Sequence, residues 1–187
     1  MIANRPAAFF DRDGVINVDH GYIDTPARFD LVKGAAAALR ACREAGLLVF
    51  VVTNQSGIAR GYFDEAALNR VHTHMHALLG REGAVIDDVR FCPHHVEAAV
   101  AAYRHDCDWR KPAPGMILDL TRHWRVDLTR SFLIGDKPSD MTAAAAAGVT
   151  GFQFLGGDLL AFVTTILDGR SSQGMLLSPH GSEDQPA

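Results

Sequence analysis

Residues 7–17 read Ala7-Ala8-Phe9-Phe10-Asp11-Arg12-Asp13-Gly14-Val15-Ile16-Asn17. The four apolar residues that open this stretch are too few for a helix, and they predict a buried strand running into a charged turn. Aspartate is unfavourable inside a strand. Asp11 and Asp13 therefore mark its C-terminal end, where open α/β sheets build their sites. Their spacing lets the first carboxylate face a metal and a substrate while the turn re-aims the second. Gly14 allows the tight bend behind them. A lone Asp-x-Asp is commonly just a solvated acidic turn, so its weight depends on what else the chain brings to it.

Outward from this stretch, strands and helices alternate. Leu47–Val52 is an unbroken apolar run rich in β-formers, as suits a strand covered on both faces, and it ends in the polar turn Thr53-Asn54-Gln55-Ser56-Gly57. Further strands are expected at 85–91, 130–134 and 151–155. Helices are expected at 34–44 with Gly46 beyond its end, 64–79 capped by Asp64, 115–124, 139–147 and 158–167. Pro26 argues for a loop over 24–33, and 92–114 reads as irregular. This alternation predicts an α/β fold with a mostly parallel, Rossmann-like sheet and helices on both faces. One domain over 1–168 is expected, with an inserted Cys/His loop at 92–110. From Gly169 onward, Ser, Gly, Pro and charges dominate, which predicts a flexible tail over 169–187.

The chain has 187 residues, 48% of them hydrophobic and 21% charged, which is an ordinary globular balance. A net charge of −4 argues against a nucleic-acid partner. No apolar run is long enough to span a membrane and no secretory signal is visible, so a cytoplasmic location is expected. Three cysteines do not suggest a disulfide framework. Of only three lysines, Lys111 and Lys137 both fall in motif segments. A compact ammonium is not interchangeable with a guanidinium at a crowded phosphate.

In a parallel sheet, polar residues at C-terminal strand ends share one crevice. That gathers Asp11 and Asp13, Thr53 and Asn54, the segment around Lys111, and Asp136 with Asp140. Carboxylates, a hydroxyl and a lysine suit metal-assisted phosphoryl transfer, with Mg²⁺ on hard oxygen ligands from Asp11 and Asp136. A nucleophilic Asp would form an aspartyl-phosphate, and Asp13 could serve as general acid and base. Thr53 and Lys111 could donate to the phosphoryl oxygens, and Arg110 could grip a second anionic group.

Asp11-x-Asp13, Thr53, Lys111 and Gly135-Asp136-x-x-x-Asp140 resemble the four signature motifs of the haloacid dehalogenase (HAD) superfamily. Within it, DRDGVIN, TNQSGIARGYF, CPHH, RKPAPGM and GDKPSDM resemble the heptose bisphosphate phosphatases, over about residues 9–150. The resemblance implies a core with no large cap domain, and a small sugar phosphate hydrolysed at its C7 phosphate for nucleotide-heptose and lipopolysaccharide synthesis. It makes Asp11 the nucleophile, Asp13 the acid/base, and Asp11, Asp136 and the Asp13 main-chain carbonyl the Mg²⁺ ligands. Arg12, Asp19, His20, Gly21, Tyr22, Asn54, Gln55, Ser56, Arg110 and Lys137 would meet the substrate, while Asp140 would orient neighbours. A monomer is expected. The alternative is histidinol-phosphate phosphatase or another small-metabolite phosphatase of the superfamily.

Cys92-x-His94 and a later Cys107 suggest a Zn²⁺ site. The family pattern places a further cysteine just before Arg-Lys-Pro, where this chain has Trp109. His105 is a substitute, and the expected zinc ligands are Cys92, His94, His105 and Cys107. The opposing expectation is a metal-free loop with Trp109 packed inside. His72 and His76 lie four apart on the 64–79 helix and read as its solvated face. Cys42 reads as a buried helix residue.

Overall fold

The structure, a computed structural model, describes residues 4–172. Five strands form one parallel sheet: β1 Ala7–Phe10, β2 Leu48–Asn54, β3 Asp88–Cys92, β4 Phe132–Gly135 and β5 Thr150–Gln153, in the order β3-β2-β1-β4-β5. The helices are α1 Ala35–Glu44, α2 Ser56–Ala59, α3 Glu65–Arg81, α4 Gly115–Trp124, α5 Pro138–Ala147 and α6 Leu159–Ser172. β1 lies at the centre, and all four of its side chains are buried.

The alternation of the strands divides the core in two. Ala8 and Phe10 join Val49, Val51 and Ile134 beneath α1, α3 and α6. Ala7 and Phe9 join Leu48, Phe50 and Leu133 beneath α4 and α5. The connection leaving β1 leads to α1 on one face, and the connection leaving β4 leads to α5 on the other. That divergence opens a crevice at the carboxyl ends of β1 and β4, the place where open α/β sheets take ligands. Among the described residues no helix is long and apolar enough to cross a membrane.

Several expected boundaries move, among them the start of the fourth strand, from 130 to Phe132, and the end of the fifth, from 155 to Gln153. The third strand begins at Asp88 rather than at 85. Asp87 ends the approach, donating its N–H to Val49 O at 2.8 Å while its carboxylate accepts from Val49 N and Arg43. The second strand runs through Asn54 into the short α2, where a polar turn was expected. α6 continues to Ser172, so the expected tail does not begin at Gly169. Arg170 holds this last turn in place: it is buried, donates to Arg130 O, and lies 5.2 Å over the Phe132 ring. The remainder of the tail, 173–187, lies outside the described residues.

Candidate active site

Asp11 is the first residue after β1, and its N–H donates to Ile134 O of β4 at 2.9 Å, which stitches the turn to the neighbouring strand end. Arg12 O accepts from Val15, Ile16 and Asn17, closing the loop on itself. Gly14 has φ +85°, and a Cβ there would meet Asp136 Oδ2 at 2.5 Å. The glycine is thus needed twice, for the bend and for the approach of a carboxylate from β4's end. Gly135 plays a similar part, since a Cβ on it would lie 2.2 Å from Asp140 Cβ.

These close approaches bring one carboxylate oxygen each from Asp11, Asp136 and Asp140 within 4.8 Å of one another. Lys111 reaches into the group from the loop between β3 and α4, with Nζ 2.9 Å from Asp11 Oδ1, 2.6 Å from Asp140 Oδ1 and 2.8 Å from Val52 O. Burial alone would lower the lysine, but Asp11 and Asp140 outweigh it and hold the ammonium above its usual range. Asp11 moves the opposite way. Burial raises its carboxyl to about 7, against the pull of Lys111 and with help from Asp140. Such a site gains from a further cation. Lys111 offsets Asp140, while Asp136 Oδ1 is buried with no hydrogen-bond partner among the described residues. Hard oxygens with an unmet partner suit Mg²⁺.

Asp13 is differently placed. Its Oδ1 accepts from Arg12 Nη2 at 2.9 Å and Asn17 Nδ2 at 3.0 Å, and its Oδ2 from Gln55 Nε2 at 2.8 Å. Burial would raise this carboxyl, but Arg12 and the bonds from Asn17 and Gln55 hold it below its usual range. Gln55 Nε2 also donates to Thr53 Oγ1 at 2.9 Å, linking the β2 end to the acid. Asn54 braces the lysine: its Nδ2 donates to Lys111 O at 2.9 Å, and Lys111 N donates back to Asn54 Oδ1 at 3.0 Å.

A cavity of about 380 Å³ opens above these groups, lined by Asp13, Asp19, Gly21, Tyr22, Asn54, Gln55, Ser56, Arg110, Lys111, Lys137 and Ser139. Most of the expected substrate-facing residues therefore share one wall-to-wall pocket. Two do not. His20 bonds Asp30 at 2.9 Å instead of lining the cavity. Arg12 is fully buried, its guanidinium committed to Asp13, Gln55 and His72, so it lies behind the cavity rather than lining it. Ser139 was missed; its place in the first turn of α5, two residues after Lys137, was the available signal. His72 also departs from expectation, being buried rather than solvated. Cys42 is buried on α1 as read.

The walls are tied to one another. Lys137 Nζ reaches Asp19 Oδ2 at 3.2 Å, and Arg28 donates to Tyr22 O and His20 O, fixing the 19–22 loop. Arg110 donates Nη1 to His94 O at 3.1 Å. The Cys/His loop thereby sets the position of a pocket side chain. In that loop Cys92, His94 and Cys107 place donor atoms within 4.8 Å of one another, with His94 Nδ1 3.2 Å from Cys107 Sγ. His105 is not part of that cluster; its ring lies against His94's, 3.9 Å between centroids. Trp109 is half-buried against the core cluster beneath α4 and lines a cavity of about 250 Å³ together with Cys92, His94 and Cys107.

Sequence comparison agrees with this geometry. A family model for HAD-hydrolase-like proteins matches residues 108–159. The D-glycero-beta-D-manno-heptose-1,7-bisphosphate 7-phosphatase of Rhodopseudomonas palustris is 55% identical over 163 residues, 87% of this chain and 91% of that protein. The chain belongs to the heptose bisphosphate phosphatase family of the HAD superfamily. A Photorhabdus laumondii member bearing the same name is 44% identical over 80% of this chain and 79% of its own. The D,D-heptose 1,7-bisphosphate phosphatase of B. bronchiseptica, solved with magnesium and phosphate, superposes with a TM-score of 0.78 at 33% identity, covering 88% of this chain and 99% of that one. As in other HAD phosphatases, phosphoric monoester hydrolysis is the family's reaction.

Proposed function

We propose that this protein is a Mg²⁺-dependent phosphatase removing the C7 phosphate of D-glycero-β-D-manno-heptose 1,7-bisphosphate through an aspartyl-phosphate. The observation that carries the reading is the buried Asp11 carboxylate, bonded to Lys111 in the pocket floor, with Asp13 opening on the same cavity. The 55% identity to a heptose bisphosphate phosphatase supports this substrate.

An Asp11 oxygen attacks phosphorus, the P–O bond to C7 breaks, and the leaving alkoxide takes a proton from Asp13. The Asp13 carboxylate then takes a proton from water. That water attacks phosphorus, the P–O bond to Asp11 breaks, and phosphate is released. Asp13's low setting suits this second half. In the first half, the arriving phosphate's negative charge beside it favours the protonated form. Thr53 Oγ and the Lys111 ammonium donate to the equatorial phosphoryl oxygens. Asp11, Asp136 and the Asp13 main-chain carbonyl would hold Mg²⁺, which when bound offsets charge on the transferring group. A magnesium-and-phosphate complex of the B. bronchiseptica relative supports this.

Arg110 and Lys137, both lining the cavity, would take the anionic C1 end, and Asp19, Tyr22 and Ser56 the sugar hydroxyls. The reading extends to a structural Zn²⁺ on Cys92, His94 and Cys107, with His105, whose ring lies against that of His94, as the fourth donor. Its role would be to steady the loop behind Arg110. A cytoplasmic monomer in nucleotide-heptose synthesis for the lipopolysaccharide core completes the proposal.

The test is kcat/KM for the heptose bisphosphate against histidinol phosphate, each with and without added Mg²⁺ after EDTA. The bisphosphate is expected to win by about tenfold or more, since a monophosphate forgoes the contacts of a second anionic group with Arg110 and Lys137. The reverse preference overturns the substrate and leaves the reaction. Phosphate release at an unchanged rate by Asp11→Asn overturns the covalent step.

A further inference from the structure

A guanidinium never loses its charge, so one without any exposed surface needs a partner for every face it presents. Arg12 is such a group. Its Nη2 lies 2.9 and 3.0 Å from the two Asp13 oxygens, and its Nε 3.3 Å from Oδ1. Gln55 Oε1 approaches Nη2 at 3.4 Å. Nη1 makes no bond to Asp13; its partner is His72 Nε2, at 3.2 Å. Arginine only donates, so Nε2 must accept and the ring proton must sit on Nδ1. Burial and the neighbouring Arg12 keep this imidazole neutral, pushing it down to about 3.

His72 stands on α3 with its ring edge-on to Phe91 of β3, 6.1 Å between centroids. It touches neither the cavity nor the carboxylate cluster. We propose that His72 is a positioning residue: it anchors the one Arg12 nitrogen that Asp13 does not use, and through Arg12 it fixes the Asp13 carboxyl for proton transfer. This rests on the acid/base role of Asp13 proposed above. With the acceptor removed, Nη1 becomes a buried donor without a partner. The guanidinium then turns to recover a bond, and the Asp13 oxygens it holds on its other edge turn with it.

The leaving group separates this role from general damage. A sugar alkoxide needs Asp13's proton to depart, whereas p-nitrophenolate departs without one, and kcat/KM reports the step in which either leaves. In His72→Leu we expect kcat/KM for the heptose bisphosphate to fall by about tenfold or more, short of the 10²–10⁴ of a lost general acid, with p-nitrophenyl phosphate changed less than about threefold. His72→Gln, which returns an acceptor, should recover most of the difference. If the leucine variant does not fold, His72→Met, a good helix former of similar length, carries the same comparison. Equal losses with both esters, no loss, or no recovery in His72→Gln overturns the proposal. A wild-type protein that releases phosphate from neither ester overturns the phosphatase reading instead.

Discussion

Two donor clusters draw on the segment that leads from β3 to α4, and they are built in opposite ways. The acidic one draws Asp11 and Asp136 from the ends of central strands and Asp140 from the first turn of α5, and Lys111 neutralises part of its charge from within. The sulfur–nitrogen one takes only Cys92 from a strand, at the sheet's edge, while His94 and Cys107 stand on an irregular, half-buried loop. Strand ends in a fully packed core fix side chains within the tolerance chemistry needs; loops orient and vary. The difference fits the proposed division, with bond-breaking at the first cluster and the aiming of Arg110, which His94 O holds, at the second.

The most damaging way to probe this division is Lys111→Met. It removes the proposed transition-state donor and leaves Asp11 and Asp140 facing each other in a buried site. Turnover should fall about 10²–10³-fold, and breaking a buried pair should destabilise the fold by about 3–5 kcal/mol. Activity assays and denaturant unfolding check both. More than a tenth of wild-type activity would show that the acidic cluster does not depend on its internal cation.

Cys107→Ser probes the other side with a smaller expected effect. Zinc content should drop, and kcat/KM for the bisphosphate should fall about tenfold, mostly through KM, as for a change behind a contacting residue. A loss as deep as that of Lys111→Met, carried in kcat, would erase the distinction between the clusters. Zinc content near zero in the wild-type protein would leave the thiol–imidazole contact and Trp109 as what holds the loop.

How much of this was legible beforehand follows the same divide. The strand-end residues could be read because an apolar run stopping at a carboxylate is a local signal, and parallel topology gathers such ends into one place. The helix capped by Asp64 was readable for the same reason. The loop was readable only as a set of donor types. Nothing local to His105 shows that its ring will lie tilted against His94 rather than join the cluster. Arg12 and His72 were misplaced because burial of a charged residue depends on a partner 60 positions away. α6 outran its composition because Arg170 packs on Phe132, a tertiary contact that overrides Gly and Ser in the last turn.

Whether the rigidity of the acidic site extends back into α3 can be tested through stability, with the smallest effect of the set. His72 titrates near 6.5 when unfolded and is held down to about 3 in the fold. Between those values the unfolded chain carries a proton that the folded one lacks, so this group makes stability rise with pH and decline as pH falls through the window. His72→Gln cannot titrate. Its stability deficit should be fully present near pH about 8 and should narrow toward pH about 5, by at most about 1.4 kcal/mol per pH unit. Urea midpoints of the two proteins across that range measure the gap, and shared titrations such as that of Asp11 cancel in the difference. A gap that stays constant would mean that the imidazole takes up its proton in place, with water reaching the Arg12 contact. The acidic site would then be no better insulated from behind than the thiol loop is from the front.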